Sequence, residues 1–169
     1  MTTARAGNIA ERPARDGMRL AKNPRKGFLV LHIVSSGVWI GMDVVMGVLV
    51  FTALADTGTA LTMYQGLAQF AVWPLLTAGL LCLVSGIVLG LGSKYGLIRY
   101  WWVAVKLALN VVLCVLVLFL LRPGVEAAAA GGATDDTMVF PPIVSTATLL
   151  FATILSVFKP WGRVRDESD

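Results

Sequence analysis

Four stretches of this sequence, at about 27–54, 67–92, 100–121 and 138–158, are apolar almost without interruption. Each reaches the roughly 20 residues that a helix needs to cross about 30 Å of hydrocarbon. Inside a bilayer no water can bond a free N–H or C=O, so such stretches must be helices rather than open strands. The expected fold is therefore all-α: a polytopic membrane protein built as a four-transmembrane-helix bundle, with the lipid bilayer as its first partner. The rest of the composition agrees. The chain is 57% hydrophobic and 14% charged, where a soluble domain carries about 25% charged residues. The charges gather at the two ends and in the connectors. The net charge of +4 thus reads as a topology signal and does not point to nucleic acid.

Residues 1–26 hold Arg5, Arg12, Arg15, Arg19, Lys22, Arg25 and Lys26, with no apolar periodicity. They read as a disordered basic tail. Residues 27–158 form the transmembrane domain and 159–169 a second polar tail. With both ends inside, Lys and Arg number seven in the first tail, two in the second connector (Lys94, Arg99) and three in the last tail (Lys159, Arg163, Arg165). The outer connectors hold Arg122 alone, and carry Asp56, Glu126, Asp135 and Asp136. This asymmetry predicts an N-in, C-in topology, with a bacterial cytoplasmic membrane as the expected location. Ala53-Leu54-Ala55 resembles a signal cleavage site, but the apolar stretch before it is about twice the 7–15 residues of a signal peptide, so a retained span is expected. The Ala- and Gly-rich connector 122–137 is expected to be mobile. Pro74 and Pro141-Pro142 are expected to bend or cap their helices. Tyr95, Tyr100, Trp101 and Trp161 fit an interfacial belt.

The first span contains the only histidine, His32, and an aspartate, Asp43. At about 100° per residue, His32, Ser36, Trp39, Asp43 and Met46 share one stripe, and Gly37 and Gly41 fall opposite. The glycine face suits close approach of another backbone, including a second copy of the chain. The polar face should avoid lipid, because a charge at mid-bilayer costs about 2.5–3.5 kcal/mol on insertion scales. On the third span Trp102, Lys106 and Asn110 recur every four residues. The depths of His32 and Lys106, each roughly 8–9 Å inside its span, place them at one level. Asp43 is roughly 16 Å further out, with Thr77, Thr148 and Asn110 as its expected neighbours. Gly79, Ser85, Gly86 and Gly90 on the second span, and Ser145, Thr148, Ala152 and Ser156 on the fourth, read as packing stripes; Gly86-x-x-x-Gly90 is a second candidate face for self-association. Cys82 and Cys114 have no metal or redox spacing and read as small buried side chains.

His32, six residues, Trp39, one residue, Gly41 resembles the first-helix motif of CopD-type copper-resistance membrane proteins and HemJ-type protoporphyrinogen oxidases. The segment "RYWWVAVKLAL", with Trp102 four residues before Lys106, is similar to the Trp-x-x-x-Lys-Leu helix start of the HemJ type. The resemblance covers residues 24–122 and is greatest to a group of small uncharacterised four-helix bacterial membrane proteins with a basic N-terminus. It implies a b-type haem or porphyrin as a candidate cofactor, with His32 as ligand. Where the HemJ type carries a second histidine, this chain has Ala104. Two axial histidines from one protomer are excluded, leaving His32 alone, His32 with Lys106, or two His32 side chains across a homodimer. Met42 and Met46 are on the order of 15 Å from His32 along the axis and cannot share its iron. Met63 and Met138, expected at the outer surface, are too scattered to form a copper site; no metal site is expected.

Three functions remain open at this point. The first is a structural or accessory membrane protein, not an enzyme, whose polar groups hold helices together. The second is a haem or porphyrin protein using His32 and Lys106. The third is a metal or small-solute permeation component using Asp43.

Overall fold

The computed structural model describes residues 21–92, 97, 100–132 and 136–158. Most of the basic tail, the second polar tail, Lys94, Tyr95, Arg99, Asp135 and Trp161 lie outside the described residues. So does most of the charge count that predicts the topology.

Among the described residues six α-helices make the fold: α1 (Lys22–Ala55), α2 (Ala60–Phe70), α3 (Trp73–Leu91), α4 (Trp101–Leu116), α5 (Arg122–Ala129) and α6 (Phe140–Phe158). There is no β-strand among the described residues. End to end they make four rods long and apolar enough to cross a membrane: Asn23–Ala55, Ala60–Leu91, Trp101–Ala129 and Thr137–Phe158. The expected number of spans is met, but three boundaries move. α1 starts earlier than expected, at Lys22, because Pro24 falls in its first turn, where no N–H is needed. The second rod starts at Ala60 rather than 67. The third continues through Ala129, so the first half of the connector expected to be mobile is helix.

Two prolines explain how these longer rods are interrupted. Pro74 lacks the N–H that would bond the Phe70 carbonyl, and the second rod breaks at Ala71–Val72, where α3 restarts with Pro74 in its first turn. Pro123 lacks the N–H that would bond the Phe119 carbonyl. Here the helix widens instead into a π turn over Val117–Leu121 and goes on as α5. Pro141 and Pro142 open α6 after a 3-10 turn at Asp136–Val139. Between α1 and α2, Asp56 Oδ1 accepts a 2.9 Å bond from the Gly58 N–H and Oδ2 one of 3.2 Å from the Thr59 hydroxyl, folding the turn that starts α2.

Around the bundle α1 packs on α3 and α6, α4 packs on α3 and α6, and α2 packs on α1 and α5. The core is not spread evenly along the axis. It fills the half toward the α1–α2 turn, where Met46, Val50 and Ala53 of α1 meet Tyr64 and Leu67 of α2, Leu75 of α3, Val117 and Leu121 of the π turn, and Val125 of α5. The other half, which holds the start of α1 and the end of α6, is termed the terminal half below. The outer faces carry exposed Val, Leu, Ile and Phe on all four rods, as expected of a surface covered by lipid.

Candidate functional site

The terminal half encloses a cavity of about 600 Å³ between α1, α3, α4 and α6. His32, Ser36, Lys106 and Asn110 line it, with Arg25 beside them and Leu29, Ile33, Leu107 and Ala152 among its apolar walls. His32 and Lys106, expected at one level, do share this cavity. Trp102 lines it too, and its ring lies under the Lys106 ammonium, 4.6 Å from nitrogen to centroid. Lys106 Nζ also donates a 2.7 Å bond to Ser156 Oγ on α6. Asn110 Oδ1 accepts from the Cys114 thiol at 3.7 Å.

His32 is held from the α3 side. Its Nδ1 is 2.9 Å from the Cys82 carbonyl and 3.1 Å from Ser85 Oγ. A carbonyl can only accept, so Nδ1 carries the proton and donates. The Ser85 hydroxyl is itself committed as a donor, 2.6 Å from the Leu81 carbonyl, and presents a lone pair to the ring. In the neutral imidazole this fixes Nε2 as the nitrogen with a free lone pair. Nε2 has no hydrogen-bond partner among the described residues, and it points away from the Cys82 carbonyl. Fixing one ring nitrogen and leaving the other open is how proteins orient a ligating histidine.

Glycines on α3 make room for this arrangement. A Cβ at Gly86 would sit 3.2 Å from His32 Cε1, and one at Gly79 would sit 2.6 and 2.8 Å from the Trp39 ring. Trp39 follows His32 by seven positions, and Gly86 follows Gly79 by seven. In antiparallel helices this puts both large rings over both glycines, two turns apart. The sequence singles out Gly86-x-x-x-Gly90 and Gly37-x-x-x-Gly41 as close-packing motifs. The spacing that seats the site's rings is instead Gly79 with Gly86. Gly37 and Gly41 are exposed, with nothing within 4 Å of either Cβ position, so that face has no neighbour among the described residues.

Asp43 belongs to a different level, as its depth predicts, but its neighbours are not those expected. Thr77 is exposed and bonds its own helix at the Trp73 carbonyl. Thr148 and Asn110 line the terminal cavity. Asp43 Oδ2 instead accepts a 2.6 Å bond from Ser145 on α6. The physical reason is that α6 runs antiparallel to α1 beside it. Asp43 and His32 are eleven residues apart, and so are Ser145 and Ser156. The stripe that reads from sequence as plain packing is therefore the one that meets both charged levels. Ser35, which falls outside the expected polar stripe, is buried and bonds the His32 carbonyl at 3.2 Å. Cys82 and Cys114 are free and buried. Met63 and Met138 are partly buried against the core. No group of three or more metal-ligating side chains occurs among the described residues.

The fold and site together define an all-helical bundle of four apolar, membrane-length rods with a mostly apolar cavity, marked by His32, Lys106 and Asn110, in one half. No protein-family model, no curated protein and no solved structure matches the chain.

Proposed function

We propose that this is a multi-pass protein of a bacterial cytoplasmic membrane, both ends inside, that binds an amphipathic anionic ligand of the haem or porphyrin class in its terminal cavity. One observation carries the reading: His32 is fixed through Nδ1 with Nε2 left open, on the wall of a cavity about 600 Å³ in volume. That volume lies within the range of cofactor pockets, roughly 300–1,000 Å³. Leu29, Ile33 and Leu107 suit an apolar macrocycle, and Arg25 and Lys106 suit its carboxylates. When bound, haem would bring redox chemistry. His32 would hold the iron, Arg25 and Lys106 would neutralise the acidic edge, and Leu29, Ile33 and Leu107 would exclude water. The reading assigns no reaction.

The test is an absorption spectrum of protein purified in mild detergent from haem-supplied cells, oxidised and reduced. A Soret band that shifts on reduction and is lost in His32→Ala is the expected result. A flat Soret region, or one unchanged by His32→Ala, sinks it. A structural or accessory role is then the reading that stands, favoured by one observation: His32, Asp43 and Lys106 each bond a different helix from their own.

A further inference from the structure

A shallow open groove, with about 340 Å³ of space, lies between α1 and α6, on the far side of the bundle's waist from His32. Asp43, Gly47, Phe51, Pro142, Thr146 and Leu150 are among the residues that line it. Phe51 and Leu150 are exposed on the outer surface, so the groove opens sideways, between the helices. Its walls are apolar except for Asp43 and the Thr146 hydroxyl. Asp43 is 1% exposed. Ser145 satisfies Oδ2, while Oδ1 is buried with no hydrogen-bond partner among the described residues. Among the described residues, no Lys, Arg or His lines the groove. A buried carboxylate with neither a counter-charge nor a full set of donors is a costly arrangement; the unmet bond is at Oδ1, which is enclosed, so the carboxyl must turn toward the groove to meet a guest.

We propose that this groove is a binding site for a small hydrophobic ammonium, a single charged N–H group on a compact apolar body, which enters from the side. An ammonium supplies the missing donor and the missing charge together. A neutral alcohol supplies only the donor. A bare metal ion fits worse: one carboxylate and two hydroxyls fall well short of the six or more oxygens that hard cations take from a protein. The volume suits a body smaller than a typical drug. The site uses none of the residues assigned to the terminal cavity, so it stands or falls apart from the haem reading.

The probe is 1-adamantylammonium, titrated into the full chain in zwitterionic-lipid nanodiscs and followed by calorimetry, with 1-adamantanol as the neutral isostere. Saturable binding of one ammonium per protomer is expected, with the alcohol at least about tenfold weaker. Asp43→Asn keeps the shape and the Ser145 bond and is expected to weaken the ammonium at least about tenfold. Gly47→Leu provides a second variant that leaves Asp43 in place. Its Cβ position is 3.9 Å from the Pro142 Cβ, an ordinary contact, so the backbone need not move while the side chain fills the groove and abolishes binding. Glu126→Gln removes an exposed carboxylate elsewhere and leaves binding unchanged. Far-UV circular dichroism and gel filtration check each variant, and should Asp43→Asn misfold, Gly47→Leu decides. Linear partitioning without saturation, equal binding of the alcohol, or full binding to Gly47→Leu overturns the proposal.

Discussion

Toward the α1–α2 turn, Val50, Tyr64, Leu67 and Val125 are each no more than 1% exposed and interlock across α1, α2 and α5. In the terminal half, α1, α3, α4 and α6 stand around about 600 Å³ of space. The difference lies in what covers the ends. α2 and α5 extend the second and third rods only on the packed side, so that side gains a closed layer of side chains. The terminal side has Leu29, Ile33, Leu107 and Trp102 facing inward too, but Gly86, Ala152 and the polar stripe among them leave space unfilled. In lipid, helices associate through close packing rather than through expulsion of water. The packed half therefore holds the bundle together and leaves the other half free to keep a cavity.

This contrast can be broken by mutation, most forcefully in the packed half. Leu67→Ala is expected to destabilise by about 2–3 kcal/mol, the lower part of the range for Leu→Ala because lipid is as apolar as the core. Unfolding in detergent with increasing sodium dodecyl sulfate, followed by circular dichroism, measures it. Gly79→Ala, at the waist between the halves, pushes a methyl against the Trp39 ring and is expected to cost about 2 kcal/mol. Ser145→Ala leaves the Asp43 carboxyl without its one described donor, for a loss of about 1–2 kcal/mol in the same assay. Arg122→Ala removes an exposed pair with Glu126 on α5 and should cost less than about 1 kcal/mol. The smallest effect sharpens the comparison most. Ala152→Phe adds a ring inside the terminal cavity and should change the midpoint by close to zero, while abolishing any Soret band. A large loss of stability there would mean that the terminal half is packed after all.

Much of this layout is legible in the sequence, because four long apolar stretches leave few choices. Apolar length gives four helices, and 100° periodicity puts Trp39, Asp43 and Met46 on one inward stripe with Gly37 and Gly41 opposite, although that glycine face meets no neighbour among the described residues. A rise of 1.5 Å per residue separates the His32 and Asp43 levels. What escaped depends on pairing between helices. "RPGVEAAAA" looks like a connector because Arg, Pro and Gly break patterns, yet Ala-rich sequence propagates a helix once the Pro123 conflict has been absorbed upstream. The Ser145 bond to Asp43 needs the α1–α6 register, which no single helix reveals. Glycine spacing alone does not tell a face that receives a ring, as Gly79 and Gly86 do, from one that receives nothing, as Gly37 and Gly41 do. The large ring spaced seven residues from His32, matched by two glycines spaced seven apart, was the signal available.

The widened turn at Val117–Leu121 also sets the phase of everything after it. A helix advances about 100° with each residue, so a turn that takes in one residue more than the α pitch re-aims the whole of α5. In that orientation Val125 and Ala128 face the core they help to close. Deleting one residue between Val117 and Leu121 lets the wide turn close to the α pitch, with Val125 and Ala128 still facing the core and Glu126 still outside. The wide turn thus takes up one residue, and the phase of the third rod beyond it depends on that. A single-codon deletion should pass there, and one within α4 upstream should not.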